Sequence, residues 1–292
     1  MNIRELFNKK KCVFSFEMFP PKKESADMGA MLDTVNGLKK LSPDYISITY
    51  GAGGKGGKNT AMLASAVKAA GVEPLAHITC MGSDESDIND ALKNLTGCGV
   101  ENVMALRGDR EEGIKEGSFR YASQLVEYIK KVNPALNVAG ACYPEGHVEA
   151  KNRFEDIKNL RLKVEAGVTH LNSQLFFDNE DFFEFIQLIR LAGIDVPVQA
   201  GIMPVVKVSQ VDRIISLAGV KIPSKLSRLL SKYGSDPVAI ADAGIAYATE
   251  QIADLIAGGV DGIHVYVMNN VATATRIAEN VKSLIARVNE GQ

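Results

Sequence analysis

The chain of 292 residues has no tryptophan, only four cysteines and only four histidines. The missing tryptophan excludes nothing by itself. The cysteines, Cys12, Cys80, Cys98 and Cys142, form no C-x-x-C pair. That argues against a zinc ribbon or dithiol centre and for reduced core thiols of a cytoplasmic protein. No run of ~18 apolar residues is present, so no membrane-spanning helix is expected. Met1 to Lys11 lacks the apolar centre of a secretion signal. Charge of one sign is also scarce: the formal net charge is -2, and Lys9 to Lys11 is a lone basic cluster. Such a chain offers no groove for nucleic acid. Small-molecule partners are expected instead.

Apolar residues make up 46% of the chain, ample for a core. A recurring junction organises them. Gly71-Val72, Gly99-Val100, Gly167-Val168, Gly193-Ile194 and Gly259-Val260 each end a helical pattern and precede an apolar run. Glycine ends a helix at low cost by adopting a left-handed conformation. Pro43 and Pro134 mark two further boundaries. Seven helix-to-strand junctions imply eight strands, at about 12–19, 45–50, 73–80, 102–109, 137–144, 170–176, 197–204 and 262–268. Between them lie helical stripes such as Phe154, Ile157, Leu160 and Val164, or Ile277, Val281, Leu284 and Val288. Strict alternation implies a parallel sheet with helices outside. Eight units in this length fit an α/β (β/α)8 TIM barrel better than an open doubly wound sheet. No linker divides residues 1–292, so one catalytic domain is expected. The unit between strands seven and eight is longer. It predicts helices at about 207–218 and 236–256 flanking a short segment, Pro223 to Tyr233, beside the barrel mouth.

Barrel enzymes carry their chemistry at the carboxyl ends of the strands. Here those ends are polar: Glu17; Thr49; His77 and Thr79; Arg107 and Asp109; Tyr143 and Glu145; Gln174. Glu17 stands in the aromatic run F-S-F-E-M-F-P-P, Phe14 to Pro21. A buried carboxylate finds a partner or holds its proton near neutral pH, and a protonated carboxyl serves as a general acid. The alternative is an edge-strand glutamate facing water. In Arg107-Gly108-Asp109 the glycine admits backbone close to a flat ligand, the arginine offers a planar fork, and the aspartate faces developing positive charge. A salt-bridged turn is the other reading. The ring lacks a His and carboxylate cluster, so no metal is expected. Gly51, Gly53 and Gly56 match G-x-G-x-x-G, with Glu73 about 20 residues on. Five glycines in seven residues make that match cheap, and Ala52 stands where a Walker motif needs its first glycine. The segment reads as a loop over the mouth. A nicotinamide dehydrogenase with Gly51 to Gly57 as a phosphate turn is the alternative.

Together the motifs resemble a family. F-S-F-E-M-F-P-P, S-I-T-Y-G-A (Ser47 to Ala52), H-I-T-C (His77 to Cys80), A-L-R-G-D (Ala105 to Asp109), Y-A-S (Tyr121 to Ser123), Y-P-E-G-H (Tyr143 to His147), K-V-E-A-G (Lys163 to Gly167) and Q-L-F-F-D (Gln174 to Asp178) resemble the short bacterial methylenetetrahydrofolate reductases, from about residue 11 to 270. The resemblance implies a flavin-containing barrel of one-carbon metabolism and methionine biosynthesis. It implies FAD or FMN, NADH or NADPH as donor, and ping-pong hydride transfer giving 5-methyltetrahydrofolate. It assigns Glu17 as general acid, Asp109 to the flavin and pterin, and Gln174 to substrate. Flavin contacts carry over to Thr49, Ala52, His77, Arg107, Gly108, Asp109, Ala122, Tyr143, His147, Asp156, Asn159 and Lys163. Asp156, Asn159 and Lys163 share one helix face by spacing. A homo-oligomer is implied. Val208, Asn270, Leu162 and the glycine-rich loop depart from the family pattern. They keep open a catalytic subunit that takes electrons from an iron–sulfur partner.

Overall fold

The structure is a computed structural model that describes residues 1–20, 28–50, 57–109 and 117–290. Eight parallel strands close into one barrel in chain order. They are β1 (Val13–Met18), β2 (Tyr45–Ile48), β3 (Glu73–Thr79), β4 (Asn102–Leu106), β5 (Asn137–Cys142), β6 (His170–Ser173), β7 (Val198–Ile202) and β8 (Gly262–Tyr266). Closure is direct, because Glu17 of β1 pairs with Ser47 on one side and Tyr266 on the other. The strands are buried along almost their whole length, as expected where helices cover one face and the barrel interior the other.

Alternation along each strand sorts residues between two cores. Phe14, Phe16, Met18, Ile46, Ile48, Val103, Val265 and their counterparts pack outward in the main hydrophobic cluster. Val13, Tyr45, Leu75, Met104 and Ala139 turn inward and meet Ile3 and Leu6. Those two residues come from the start of the chain and the short helix α1 (Arg4–Lys9), which plugs the end of the barrel opposite the candidate site.

The outer helices are α2 (Met28–Lys39), α3 (Gly57–Ala69), α4 (Glu85–Gly97), α5 (Ala122–Val132), α6 (Arg153–Glu165), α7 (Asn179–Leu191), α8 (Val208–Ala218), α9 (Ser224–Tyr233), α10 (Pro237–Ala257) and α11 (Val271–Asn289). Side chains satisfy several exposed helix N–H groups: Asp84, Asn152, Asp178, Asp236 and Asn270 cap α4, α6, α7, α10 and α11. The five expected glycine stops are all left-handed, with φ between 75° and 121° at Gly71, Gly99, Gly167, Gly193 and Gly259.

Three expectations need correction. The segment Pro223 to Tyr233 is itself a helix, α9, because its apolar residues Leu226 and Leu230 recur at helical spacing and close a small core with Leu175, Phe177, Val205 and Tyr247. Several strands stop two or three residues short of the expected ends. Gly108 at φ +90° breaks the β4 ladder, so Arg107, Gly108 and Asp109 stand on the turn beyond it. Phe154 is 80% exposed at the start of α6, and Cys98 is exposed at the end of α4, so neither belongs to the core. Among the described residues, no helix is long and apolar enough to cross a membrane.

Gly244 marks where α10 rests on backbone. A Cβ there would overlap the Val205 carbonyl oxygen, which cannot rotate away. Gly244→Ala is expected to lower unfolding free energy by about 1–3 kcal/mol, the usual cost of overpacking, in a urea titration. An unchanged midpoint would show that the helix shifts without strain.

Candidate active site

The inward residues near the carboxyl ends of β1, β2, β3 and β8 converge on one carboxyl group. Glu17 is 7% exposed. Its Oε2 lies 3.7 Å from His77 Nε2 and 3.7 Å from His264 Nε2. Ser47 Oγ meets His77 Nε2 at 2.6 Å, and Ser15 Oγ meets His264 Nδ1 at 2.8 Å. The carboxyl is therefore not an edge group facing water. It has found imidazole partners, as burial demands. Tyr266, two residues beyond His264, donates its hydroxyl to the Ser173 carbonyl at 2.6 Å. Burial, reinforced by Glu17 nearby, pushes that phenol well above its ordinary value. Gly201 leaves room for this contact, since a Cβ there would overlap the Ser173 carbonyl and crowd the Tyr266 ring.

A second group forms on the turns after β4 and β5 and along α6. Arg107 grips Glu149 with two guanidinium nitrogens, at 2.7 and 2.5 Å. This pairing holds the arginine above its ordinary value. The Tyr143 and His147 rings meet edge to face, with centroids 4.6 Å apart. His147 N–H donates to Asp156 at 3.1 Å, and its Nδ1 accepts from Glu149 N–H at 3.1 Å. Lys163 reaches under β5 and donates Nζ–H to the Ala141 carbonyl at 2.7 Å. Burial draws its ammonium below the ordinary lysine value. The expected shared face of α6 is thus real for Asp156 and Lys163, which turn toward β5, whereas Asn159 is exposed.

The remaining expected residues among those described stand at the same end of the barrel, outside the two groups. Thr49 follows β2, where its carbonyl accepts from the Thr60 hydroxyl at 3.0 Å. Gln174 follows β6, tied by its backbone N–H to the Cys142 carbonyl at 2.7 Å. Ala122 opens α5, and Asp109 is exposed on the turn after β4. Ala52 and the rest of 51–56 lie outside the described residues, and with them the proposed dinucleotide turn. Asn270, noted as a departure, caps α11 through the Thr273 N–H. No group of three or more metal-ligating side chains occurs among the described residues.

His264 was missed by sequence reasoning, as were Ser15, Ser47, Tyr266 and Glu149. A signal did exist for the β8 pair. In Gly262-Ile263-His264-Val265-Tyr266 the polar residues fall at every second position, hence on one face.

The fold and this mouth define a (β/α)8 barrel with an enzyme-type site at the carboxyl ends of its strands. The methylenetetrahydrofolate reductase family model matches residues 2–282, and the chain belongs to that family. It is 30% identical to the 5,10-methylenetetrahydrofolate reductase of Escherichia coli, over 91% of this chain and 90% of that one. It is 32% identical to methylenetetrahydrofolate reductase 1 of Schizosaccharomyces pombe, over 96% of this chain but 46% of that one. The chain thus spans about half the length of its eukaryotic relatives and most of the bacterial ones. Among solved structures, a Clostridium thermocellum protein that binds two copies of 5-methyl-5,6,7,8-tetrahydrofolic acid superposes with a TM-score of 0.68. The match is 13% identical and covers 97% of this chain and 99% of that one, a likeness of fold.

Burial pushes His77 down from 6.5 to about 4, opposed by Glu17, and His170 down from 6.5 to about 3. Both folded values lie below 6.5, so on acidification the unfolded chain takes up these protons first. The stability present above pH 6.5 is lost as pH falls from 6.5 toward 4, at about 1.4 kcal/mol per pH unit for each histidine. His170→Phe is expected to flatten the fall in urea-measured stability between pH 6.5 and 5 by that amount. An unaltered slope would refute it.

Proposed function

We propose that the chain reduces 5,10-methylenetetrahydrofolate to 5-methyltetrahydrofolate, with Glu17 as general acid. The observation that carries this reading is the buried Glu17 carboxyl, held at the barrel mouth between two imidazoles. The substrate's five-membered ring opens to an iminium cation only when a ring nitrogen gains a proton, and in this reading Glu17 delivers it. The family membership supports the substrate assignment. Gln174, on the turn after β6, would bind the pterin. Asp109, on the turn after β4, would supply negative charge where the cation develops.

The residues of the second group fit a flavin by their chemistry. Gly108 at φ +90° exposes backbone without a side chain. Tyr143 and His147 form an aromatic corner. Arg107 and Lys163 supply positive charge, and the Lys163 charge is met by a carbonyl dipole that a diphosphate would reinforce. Thr49, His77, Ala122, Asp156 and Asn159 complete the expected contacts, with Ala52 in the segment beyond the described residues. When bound, FAD or FMN would supply the hydride carrier that is charged by NADH or NADPH and discharged to the folate in a ping-pong sequence. The protein's own part is to hold both reactants over the mouth, keep water from Glu17 and return a proton to it each turnover.

Glu17→Gln is expected to retain the flavin band and its bleaching by NADH, and to lose about 10²–10⁴ in the rate of folate reduction. Anaerobic stopped-flow separates the two half-reactions. Normal folate reduction by this variant would remove Glu17 from the acid role. Asp109→Asn is expected to slow the same half-reaction while leaving the unfolding midpoint in place. If NADH leaves the wild-type flavin untouched, electrons come from a separate redox partner, and the reading as a self-sufficient NADH enzyme fails.

A further inference from the structure

The two imidazoles beside Glu17 are not equivalent. His77 Nε2 sits 2.6 Å from Ser47 Oγ, so its Glu17-facing nitrogen is also engaged by a hydroxyl. His264 presents Nε2 to Glu17 and is engaged at the other nitrogen, Nδ1, by Ser15 Oγ at 2.8 Å. Behind Ser15 runs a chain of polar side chains buried across the barrel interior. Gln199 Nε2 donates to Ser15 Oγ at 3.1 Å, as well as to the Val13 and Ile263 carbonyls at 3.2 and 3.3 Å. Gln199 Oε1 accepts from the Tyr45 hydroxyl at 2.5 Å. Tyr45 in turn accepts from Asn172 Nδ2 at 3.0 Å. All of these side chains are at most 2% exposed.

The direction of the bonds at Gln199 follows from the inventory of donors, whereas Tyr45 and Asn172 meet through both amide atoms. An amide nitrogen only donates, and the two backbone carbonyls on Gln199 Nε2 fix which end of that amide is nitrogen. Ser15 Oγ therefore accepts from Gln199, which leaves its single proton for either His264 Nδ1 or the Tyr45 hydroxyl, with which it is also hydrogen-bonded; the inference assigns it to the ring. With the proton so assigned, Nδ1 is the acceptor nitrogen, and the neutral ring carries its proton on Nε2, the atom facing Glu17. Gln199 does not pass protons along, so the chain sets a tautomer rather than conducting charge. The other groups around the ring are Tyr45, stacked at 6.1 Å, Tyr266, edge-on at 5.1 Å, and His77 and His170, each lowered in part by His264.

The geometry points to His264 as a positioning residue for the acid. Asn172, Tyr45, Gln199 and Ser15 lock it as the Nε2–H tautomer, and that N–H steers Glu17 Oε2, leaving Oε1 as the oxygen that carries the proton to substrate. The inference rests on the acid role of Glu17. The Oε2 to Nε2 separation of 3.7 Å is longer than a hydrogen bond, and the inference requires the pair to tighten in the substrate complex.

The test combines a readout of the tautomer with one of the chemistry. In the full-length protein with ¹⁵N-labelled histidine, and with the His264 signals assigned by their loss in His264→Gln, Nε2 is expected to show the shift of a protonated nitrogen and Nδ1 that of an acceptor. Ser15→Ala is expected to collapse this preference toward a mixture. In anaerobic half-reactions Ser15→Ala and His264→Leu are expected to lower the folate rate about tenfold or more while changing flavin reduction less than about twofold. His264→Gln, whose amide nitrogen can stand where Nε2 stood, is expected to recover most of the rate lost in His264→Leu. A protonated Nδ1 in the wild-type protein overturns the inference, whatever the activities. So does a Ser15→Ala protein with a normal folate half-reaction. If Glu17→Gln is inert while these variants react normally, the positioning role alone fails. If Glu17→Gln reacts normally, the acid assignment itself has failed.

Discussion

The burial of one carboxyl group inside a parallel barrel is the constraint from which much of the interior follows. Glu17 faces the lumen because β1 alternates, with Phe14, Phe16 and Met18 committed to the helix layer. An uncompensated charge there would cost several kcal/mol, so the strands on either side must provide polar partners. β3 provides His77 and β8 provides His264. Those rings bring requirements of their own, met by Ser47 and Ser15, and Ser15 leads on to Gln199, Tyr45 and Asn172. The lumen is thus apolar near α1, where Ile3 and Leu6 meet Val13, Leu75 and Met104, and hydrogen-bonded above it. A half-satisfied version of this network would be worse than an apolar filling, which is why it extends across six strands.

The second group obeys a different logic. Arg107 spends its guanidinium on Glu149, and Lys163 bends under β5 to the Ala141 carbonyl. Both cations are held in place by the protein's own acceptors. A ligand with phosphate groups would compete for these contacts or add to them, and Lys163, lowered by burial, gains most from added negative charge. The small core of α8, α9 and α10 stands beside this mouth. It joins the barrel through Leu175 and Phe177 after β6 and through Tyr266.

Much of the architecture was legible because its signals are local. A glycine at the end of a helix reports a left-handed stop, and all five such glycines have that conformation. Strand placement followed from the apolar runs between stops. The boundaries were less legible, since a strand ends where pairing ends. Gly108 ends β4 before Arg107 and Asp109. The helix α9 went unread because its apolar residues, Leu226 and Leu230, are few and gain meaning only against Val205 and Tyr247. On α6, Asp156 and Lys163 of the spaced triplet reach the His147 backbone and the Ala141 carbonyl, while Asn159 stays exposed.

By itself the sequence determined the eight alternating units, the polar ends of the strands and the family to which they belong, since each is written in residue types at short spacing. Tertiary structure alone decided what surrounds Glu17. His264 is 247 residues away in the chain and Gln199 is 184 residues from Ser15. They meet only because closing the barrel makes β8 the neighbour of β1. No local pattern encodes that adjacency; it arises when eight twisted strands run out of sheet edge and the first must pair with the last.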